Sequence, residues 1–230
     1  MEQNQNSEPQ KILAIDIGGS GVKVKVNTGD EVRRVESGPT MDPDKMVADV
    51  KELTHDWAFD VIAMGYPGPI QHGKITRDPH NLAPGWVQYD FAEAFGKPVK
   101  LINDAAMQAV GSYEGGRMLF LGLGTGLGSV LIVEGVVAPL ELAHMPYKRG
   151  HTFEEYVGNA AFEELGKKKW RNEVAQVISI LAAALLPDYV VLGGGNAKRL
   201  KEMPVYCRLG NNKHAFTGGF RLWSDPTIRV

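Results

Sequence analysis

Four stretches of the chain hold residues whose types and spacing can do chemistry. Asp16-Ile17-Gly18-Gly19-Ser20-Gly21-Val22-Lys23 lies between two apolar stretches. Glycines without a Cβ let backbone N–H groups approach a phosphate closely, and such a turn can form an anion nest. Asp16 stands where it can hold magnesium, directly or through water. The alternative is a tight hairpin with a solvated aspartate. Leu121-Gly122-Leu123-Gly124-Thr125-Gly126-Leu127-Gly128-Ser129 is a second glycine turn. It is not a dinucleotide fingerprint, which opens a helix, because Val130–Val133 reads as a strand. Nor is it a Walker A loop, because no Gly-Lys-Ser/Thr follows. A second phosphate hairpin is the better account.

Asn103 and Asp104 follow the apolar Leu101-Ile102 and begin an Ala-rich helix. Asp104 is either a helix N-cap or a general base at a strand's carboxyl end. As a base it would take the proton of a hydroxyl attacking phosphorus. Glu141, His144 and Glu154 sit in a polar stretch after the second glycine turn. With Asn81 and Asn103 they suit a sugar, because each can bond more than one vicinal hydroxyl. His144 taken singly is more often structural. Metal-ligand spacing is absent from this set.

The elements that must position these residues read as follows. Lys11–Ile17 is a buried strand, and Val22, Val24 and Val26 alternate with Lys23, Lys25 and Asn27 in a half-buried one. A third strand spans Glu31–Glu36. Asp42 caps a helix with Pro43 at its first position, and Met46, Val47, Val50, Leu53 and Trp57 form its apolar face. Val61–Gly65 is a buried strand, Gln71–Trp86 a long loop, Tyr89–Phe95 a helix and Val99–Ile102 a strand. The second half repeats the opening: strand Met118–Leu121, glycine turn, strand Ser129–Val133, strand Val136–Pro139. Helices are expected over Phe153–Lys169 and Arg171–Leu186, then a strand Tyr189–Leu192 ending in Gly193-Gly194-Gly195. The stretch to Val230 is weakly patterned. Two strand–glycine turn–strand units imply an internal duplication. The expected organisation is a disordered tail over 1–10, one lobe over 11–110 and a second over 111–230.

Composition narrows the classes. The 230 residues are 43% hydrophobic and 23% charged, which excludes disorder and coiled coil. No apolar run is long enough to span a bilayer, and MEQNQNSEPQ lacks the apolar core of a secretory leader. A single cysteine, Cys207, excludes an internal disulfide and fits a reducing cytoplasm. Lys+Arg 25 against Asp+Glu 27 leaves a net charge of −2, so general nucleic-acid binding is not expected. Basic clusters occur at Lys148-Arg149, Lys167–Lys169 with Arg171, and Lys198, Arg199 and Lys201. Lysines late in a helix suit its dipole and water. A polyanion track is the other reading.

DIGGSGVKV, GYPGPI, NLAPGW, LINDA, LGLGTGLGSVLI, ELAHMPY, FEEYVG and VVLGGGN, in this order over roughly residues 11 to 223, resemble the ROK family of repressors, open reading frames and sugar kinases. Within it the chain is most similar to polyphosphate-dependent and related bacterial glucokinases. The resemblance implies the α/β, actin-like (ribonuclease H-like), two-lobed sugar-kinase fold, with its duplicated β-meander and glycine phosphate turns. It implies Asp104 as catalytic base and Asn103, Glu141, His144 and Glu154 as sugar contacts, with Asn81 and Gly68 lining the same pocket. Asp16, Gly18, Gly19, Ser20, Gly21 and Lys23, together with Gly124, Thr125 and Gly126, would hold phosphates. Gly193–Gly195 would close over the adenosine of a nucleotide. Magnesium is the expected cofactor, held by Asp16 through water, and a cytoplasmic homodimer the expected state.

The chain departs from the family in places. The zinc-binding Cys-rich segment of many members matches Tyr147–Phe153, which has no cysteine, so no zinc is expected. Ala143 replaces the glycine of Glu-x-Gly-His, and NLAPGW is one residue longer than the common form. Repressors of the family carry a helix-turn-helix ahead of the kinase fold, and ten residues precede the first strand here. The expected activity is therefore a hexose kinase, acting on glucose at its 6-hydroxyl with polyphosphate, ATP or both as donor. The alternative is a ROK-type sugar sensor without turnover. Polyphosphate is the favoured donor, because the basic clusters of the second half offer a track for it.

Overall fold

In the computed structural model, which describes residues 9–211 and 213–230, the alternating Val22, Val24 and Val26 bury one face of a strand against an apolar neighbour. Strand β1 (Ile12–Gly18) and β2 (Gly21–Val26) are antiparallel, with Asp16 opposite Lys23 and Gly18 opposite Gly21. Strand β3 is shorter than the expected Glu31–Glu36. Only Arg33–Val35 pairs, and Glu36 would already fall opposite Gly21 at the hairpin turn. Asp42 caps α1 (Pro43–Leu53) by accepting from the Lys45 amide at 2.8 Å. Strand β4 (Val61–Tyr66) is buried at every residue and runs parallel to β1. Strand β7 (Val99–Asn103) runs parallel to β4, giving the order β3-β2-β1-β4-β7.

The stretch expected as one long loop holds a small hairpin, β5 (Ile70–Gln71) and β6 (Lys74–Ile75). His72 and Gly73 turn it with φ of 51° and 71°. A histidine in the left-handed region is a weak sequence signal, which is why the hairpin was not expected. Helix α2 (Phe91–Phe95) is capped by Asp90 and ended by Gly96 at φ 66°.

After α3 (Asp104–Ser112) the same topology returns. Strands β8 (Arg117–Leu123), β9 (Leu127–Val133) and β10 (Val136–Leu140) form a meander. Strands β11 (Tyr189–Gly193) and β12 (Cys207–Leu209) follow in parallel, giving the order β10-β9-β8-β11-β12. The duplication read from two glycine turns is thus a duplication of whole sheets. Helices α4 (Glu154–Val157) and α5 (Asn159–Leu185) connect the second meander to β11. The expected break before Arg171 instead falls at Gly166, whose φ of 74° and ψ of 161° only glycine adopts cheaply. Lys167–Lys169 therefore open a helical segment rather than close one. The helix dipole does not account for them.

The weakly patterned end is ordered by tertiary partners. Helix α6 (His214–Ser224) starts against α3: a Cβ at Gly218 would run into the Met107 carbonyl, and one at Gly111 into that of His214. Its last turn is held by Trp223 Nε1 donating to Ile62 O at 3.0 Å and Lys100 Nζ donating to Leu222 O at 2.7 Å. The final residues flank β10, where Arg229 exchanges backbone bonds with Gly135 and Val137.

Two compact units result. One runs through Asp104 and takes in Gly219–Pro226, and the other comprises Ala105–Gly218 and Thr227–Val230. Each buries its own core, around Trp86 and Tyr66 in the first and Trp170 and Leu121 in the second. Residues 1–8 of the expected tail lie outside the described residues, and Pro9 and Gln10 are exposed. Among the described residues no helix is long and apolar enough to cross a membrane.

Candidate active site

The candidate residues fall into two groups, one in each unit. In the first, the parallel strands β1, β4 and β7 end together, placing Asp16 beside Gly65 and Asn103 beside Tyr66. The carboxyl ends of parallel strands are where open α/β sheets bind ligands. Asn103 Nδ2 donates to the Gly68 carbonyl at 3.2 Å. Gly68 lies flat on Tyr66, where a Cβ would come 2.6 Å from the ring. The Tyr66 hydroxyl donates to Arg77 O at 2.9 Å, and its ring packs on Trp86, centroids 5.6 Å apart. Asn81 folds over the first glycine turn: a Cβ on Gly19 would lie 3.2 Å from that of Asn81. Asp16, Gly19, Gly68, Asn81 and Asn103 are therefore gathered at one edge of one sheet. Asp104 is the first residue of α3.

Asp78 was not anticipated, and it holds this edge in shape. Its Oδ1 accepts from the amides of Gly85 at 3.1 Å and Trp86 at 2.8 Å, closing the loop that bears Asn81. The buried Trp86 adds Nε1 donating to Ala83 O at 2.7 Å. An aspartate shortly before a Pro-Gly-Trp turn is the signal that could have found it.

In the second unit, the glycine turn, the three glycines after β11 and Glu154 form one assembly. Gly193 pairs with Gly122, and a Cβ at Gly194 would strike the Leu123 backbone. Asn196, buried, donates its amide to Leu123 O at 2.9 Å and its Nδ2 to Gly124 O at 3.3 Å. Glu154 reaches the same turn, its Oε2 accepting from the Leu127 amide at 3.1 Å. A cavity of about 210 Å³ opens beside Gly194 and Gly195, lined further by Lys198, Gly210 and Asn211. Glu141 and His144 stand at the two ends of the short helical turn that follows β10, whose Ala143 packs in the same core as Leu123 and Leu127. The Glu141 and His144 side chains are mostly exposed, 3.6 Å from each other. The buried Ser129 hydroxyl anchors their segment by donating to Leu140 O and accepting from the Leu142 amide.

The loop after His144 closes on itself through Arg149 and Gly150, both at positive φ. The Tyr147 hydroxyl and Lys148 Nζ both reach Glu173 Oε2, at 2.9 and 2.7 Å. Glu155, another unanticipated residue, accepts from the Thr152 amide and hydroxyl at 2.7 and 2.9 Å and pairs with His151. His151 first, then Thr152, hold the Glu155 carboxyl down at about 2.

Two meanders with matched glycine turns and a topology repeated sheet for sheet define the actin-like, ribonuclease H-like fold. The sequence profile of the ROK family matches residues 12–139, and the chain belongs to that family. It is 27% identical over 210 residues to a polyphosphate glucokinase of Mycobacterium tuberculosis, spanning 81% of this chain and 78% of that protein. It is 25% identical over 240 residues to a glucokinase of Pyrobaculum calidifontis, spanning 81% and 80%. Among solved structures, the inorganic polyphosphate/ATP-glucomannokinase of Arthrobacter sp. strain KM superposes with a TM-score of 0.77 at 23% identity, covering 92% of this chain and 97% of that one.

The residues at the first turn fit a magnesium ion. Desolvation raises the Asp16 carboxyl above its ordinary range, and Lys23 across the strand pair only partly opposes this. A cation with phosphate oxygens beside it would restore the charged form. Among the described residues no three His, Cys, Asp or Glu side chains cluster as a metal cage. One carboxylate with phosphates and water is how magnesium is commonly held. The loop after His144 does not fit zinc: it has no thiolate, and burial pushes the Cys207 thiol, in β12, up to about 11.

Proposed function

We propose that the chain is a hexose kinase transferring a phosphoryl group from polyphosphate, ATP or both to the 6-hydroxyl of glucose. The observation that carries this reading is the shared edge of β1, β4 and β7, where Asp16, Asn81, Gly68 and Asn103 meet and Asp104 follows directly. The names of the related proteins point the same way. Asn103, held by the Gly68 carbonyl, and Asn81 bond sugar hydroxyls, and Glu141, His144 and Glu154 supply the remaining sugar contacts. Asp104 accepts the proton of the 6-hydroxyl as its oxygen attacks phosphorus. The bond from phosphorus to the bridging oxygen breaks, and the rest of the donor leaves with that oxygen. Backbone amides of Gly18–Gly21 and Gly124–Gly126 bind donor phosphates, with Lys23 as a cation. Gly193–Gly195 border the adenosine when ATP is the donor. Magnesium, held near Asp16 through water, neutralises phosphate charge when bound. The working form is a cytoplasmic homodimer.

Formation of glucose 6-phosphate by the purified chain, with glucose, magnesium and either ATP or polyphosphate, tests the reading. Turnover with at least one donor supports it. Glucose binding without product from either donor would replace it with a sugar sensor.

A further inference from the structure

Arg34 lies on β3 opposite Lys23 of β2, which lies opposite Asp16 of β1. Directly opposed residues of antiparallel strands share a face, so a carboxylate, an ammonium and a guanidinium stand in one row. Gly18 and Gly21 fall on the same face by the period of two. The Arg34 guanidinium lies over the glycine hairpin, in the space that the missing side chain of Gly21 leaves. A Cβ there would run into Nε and come within 2.8 Å of Nη2. Arg34 Nη2 donates to the Ser20 carbonyl at 2.7 Å. That bond uses one of five donors.

The neighbouring Arg33 is a contrast. It pairs with both Glu31 and Asp56 and covers the Trp57 ring. Among the described residues no carboxylate pairs with Arg34, although its side chain is exposed. A guanidinium with free donors beside a glycine turn is matched to phosphate oxygens, which it can grip two at a time. We propose that Arg34 is a donor-binding residue, gripping the phosphate chain held at the first glycine turn, with Lys23 as the second cation. This rests on the kinase reading for the identity of the ligand. The competing account is a clip that only steadies the hairpin through Ser20.

Arg34→Gln and Arg34→Lys in the full chain separate the two. Arg34→Gln should raise the KM for polyphosphate and for ATP about tenfold or more, leaving the glucose KM unchanged. It should also flatten the logarithmic salt dependence of polyphosphate kcat/KM by about one. Arg34→Lys keeps the charge, so the salt slope should return while the donor KM stays raised. Inorganic tripolyphosphate alone should raise the melting temperature of the parent and of Arg34→Lys more than that of Arg34→Gln. Parent-like donor KM, salt slope and tripolyphosphate shift in both variants would overturn the proposal and leave the clip. If Arg34→Gln is too unstable to assay, a parent-like donor KM in folded Arg34→Lys overturns it equally. Should the parent transfer no phosphoryl group while tripolyphosphate still stabilises it through Arg34, the anion site stands and the kinase reading falls.

Discussion

The Glu154 carboxylate accepts a hydrogen bond from the Leu127 amide at 3.1 Å. A residue expected at the sugar and the turn expected at the phosphates are thereby built as one piece. Gly126 is what permits it, because any Cβ at that position would collide with the carboxylate.

Gly126→Ala should therefore displace Glu154. The expected result is loss of the bond to the Leu127 amide, about 0.5–1.5 kcal/mol of stability, together with raised KM values for both glucose and donor. Thermal unfolding and two-substrate steady-state kinetics check this. A change in donor KM alone would separate Glu154 from the sugar.

Asp104→Asn should lower kcat by roughly two to four decades, the usual loss on removing a general base, while glucose binding by calorimetry stays near that of the parent. The amide keeps the shape and cannot take the proton. Rates near the parent would leave Asp104 as a helix-opening residue only.

Asp78→Ala should leave the amides of Gly85 and Trp86 without their acceptor, costing about 1–3 kcal/mol and loosening the loop that bears Asn81. The glucose KM should rise more than kcat falls. Asp78→Asn retains an Oδ1 acceptor and should recover most of the loss. Equal damage from both variants would mean that the charge, not the bond, matters.

The Glu155 carboxyl, held at about 2 by His151 and Thr152, gives the loop after His144 a defined acid response. A depressed carboxylate contributes its stabilisation fully above its unfolded value near 4.5 and loses it as pH falls toward 2. The Thr152 amide resonance should accordingly show its acid transition below pH 4.5. In Glu155→Gln the amide should start at a different shift and show no such acid transition. A parent transition centred at the value of a free glutamate would contradict the network.

Lys167, Lys168 and Lys169, exposed at the start of a helical segment, have no dipole reason to be there. Replacing all three with Ala should raise the polyphosphate KM on the order of tenfold, with a weaker salt dependence, and leave the ATP KM near the parent. Matched donor kinetics at two salt concentrations decide it. Equal KM changes for both donors would remove the polyphosphate track.

Read alone, the sequence determined what local rules can write. Alternation at Val22, Val24 and Val26, the Asp42-Pro43 helix start and two glycine runs between strands fixed the meanders and their repetition, because period, cap and turn are encoded within a few residues. Ordered segments from DIGGSGVKV to VVLGGGN indicated the family, and with it Asp104, Asn103 and Glu154 as candidates. Tertiary structure decided what depends on partners remote in the chain. Helix α6 and strand β12 have weak local patterns and exist because α3, Ile62 and β11 receive them. The break at Gly166, the clasp of Asp78 on Trp86 and the grip of Glu155 on Thr152 rest on one backbone angle and on specific hydrogen bonds. Arg34 looked like any surface arginine of a short strand. Only the register of three strands set it beside Lys23 and over Gly21, because cross-strand neighbours are fixed by pairing and not by spacing in sequence.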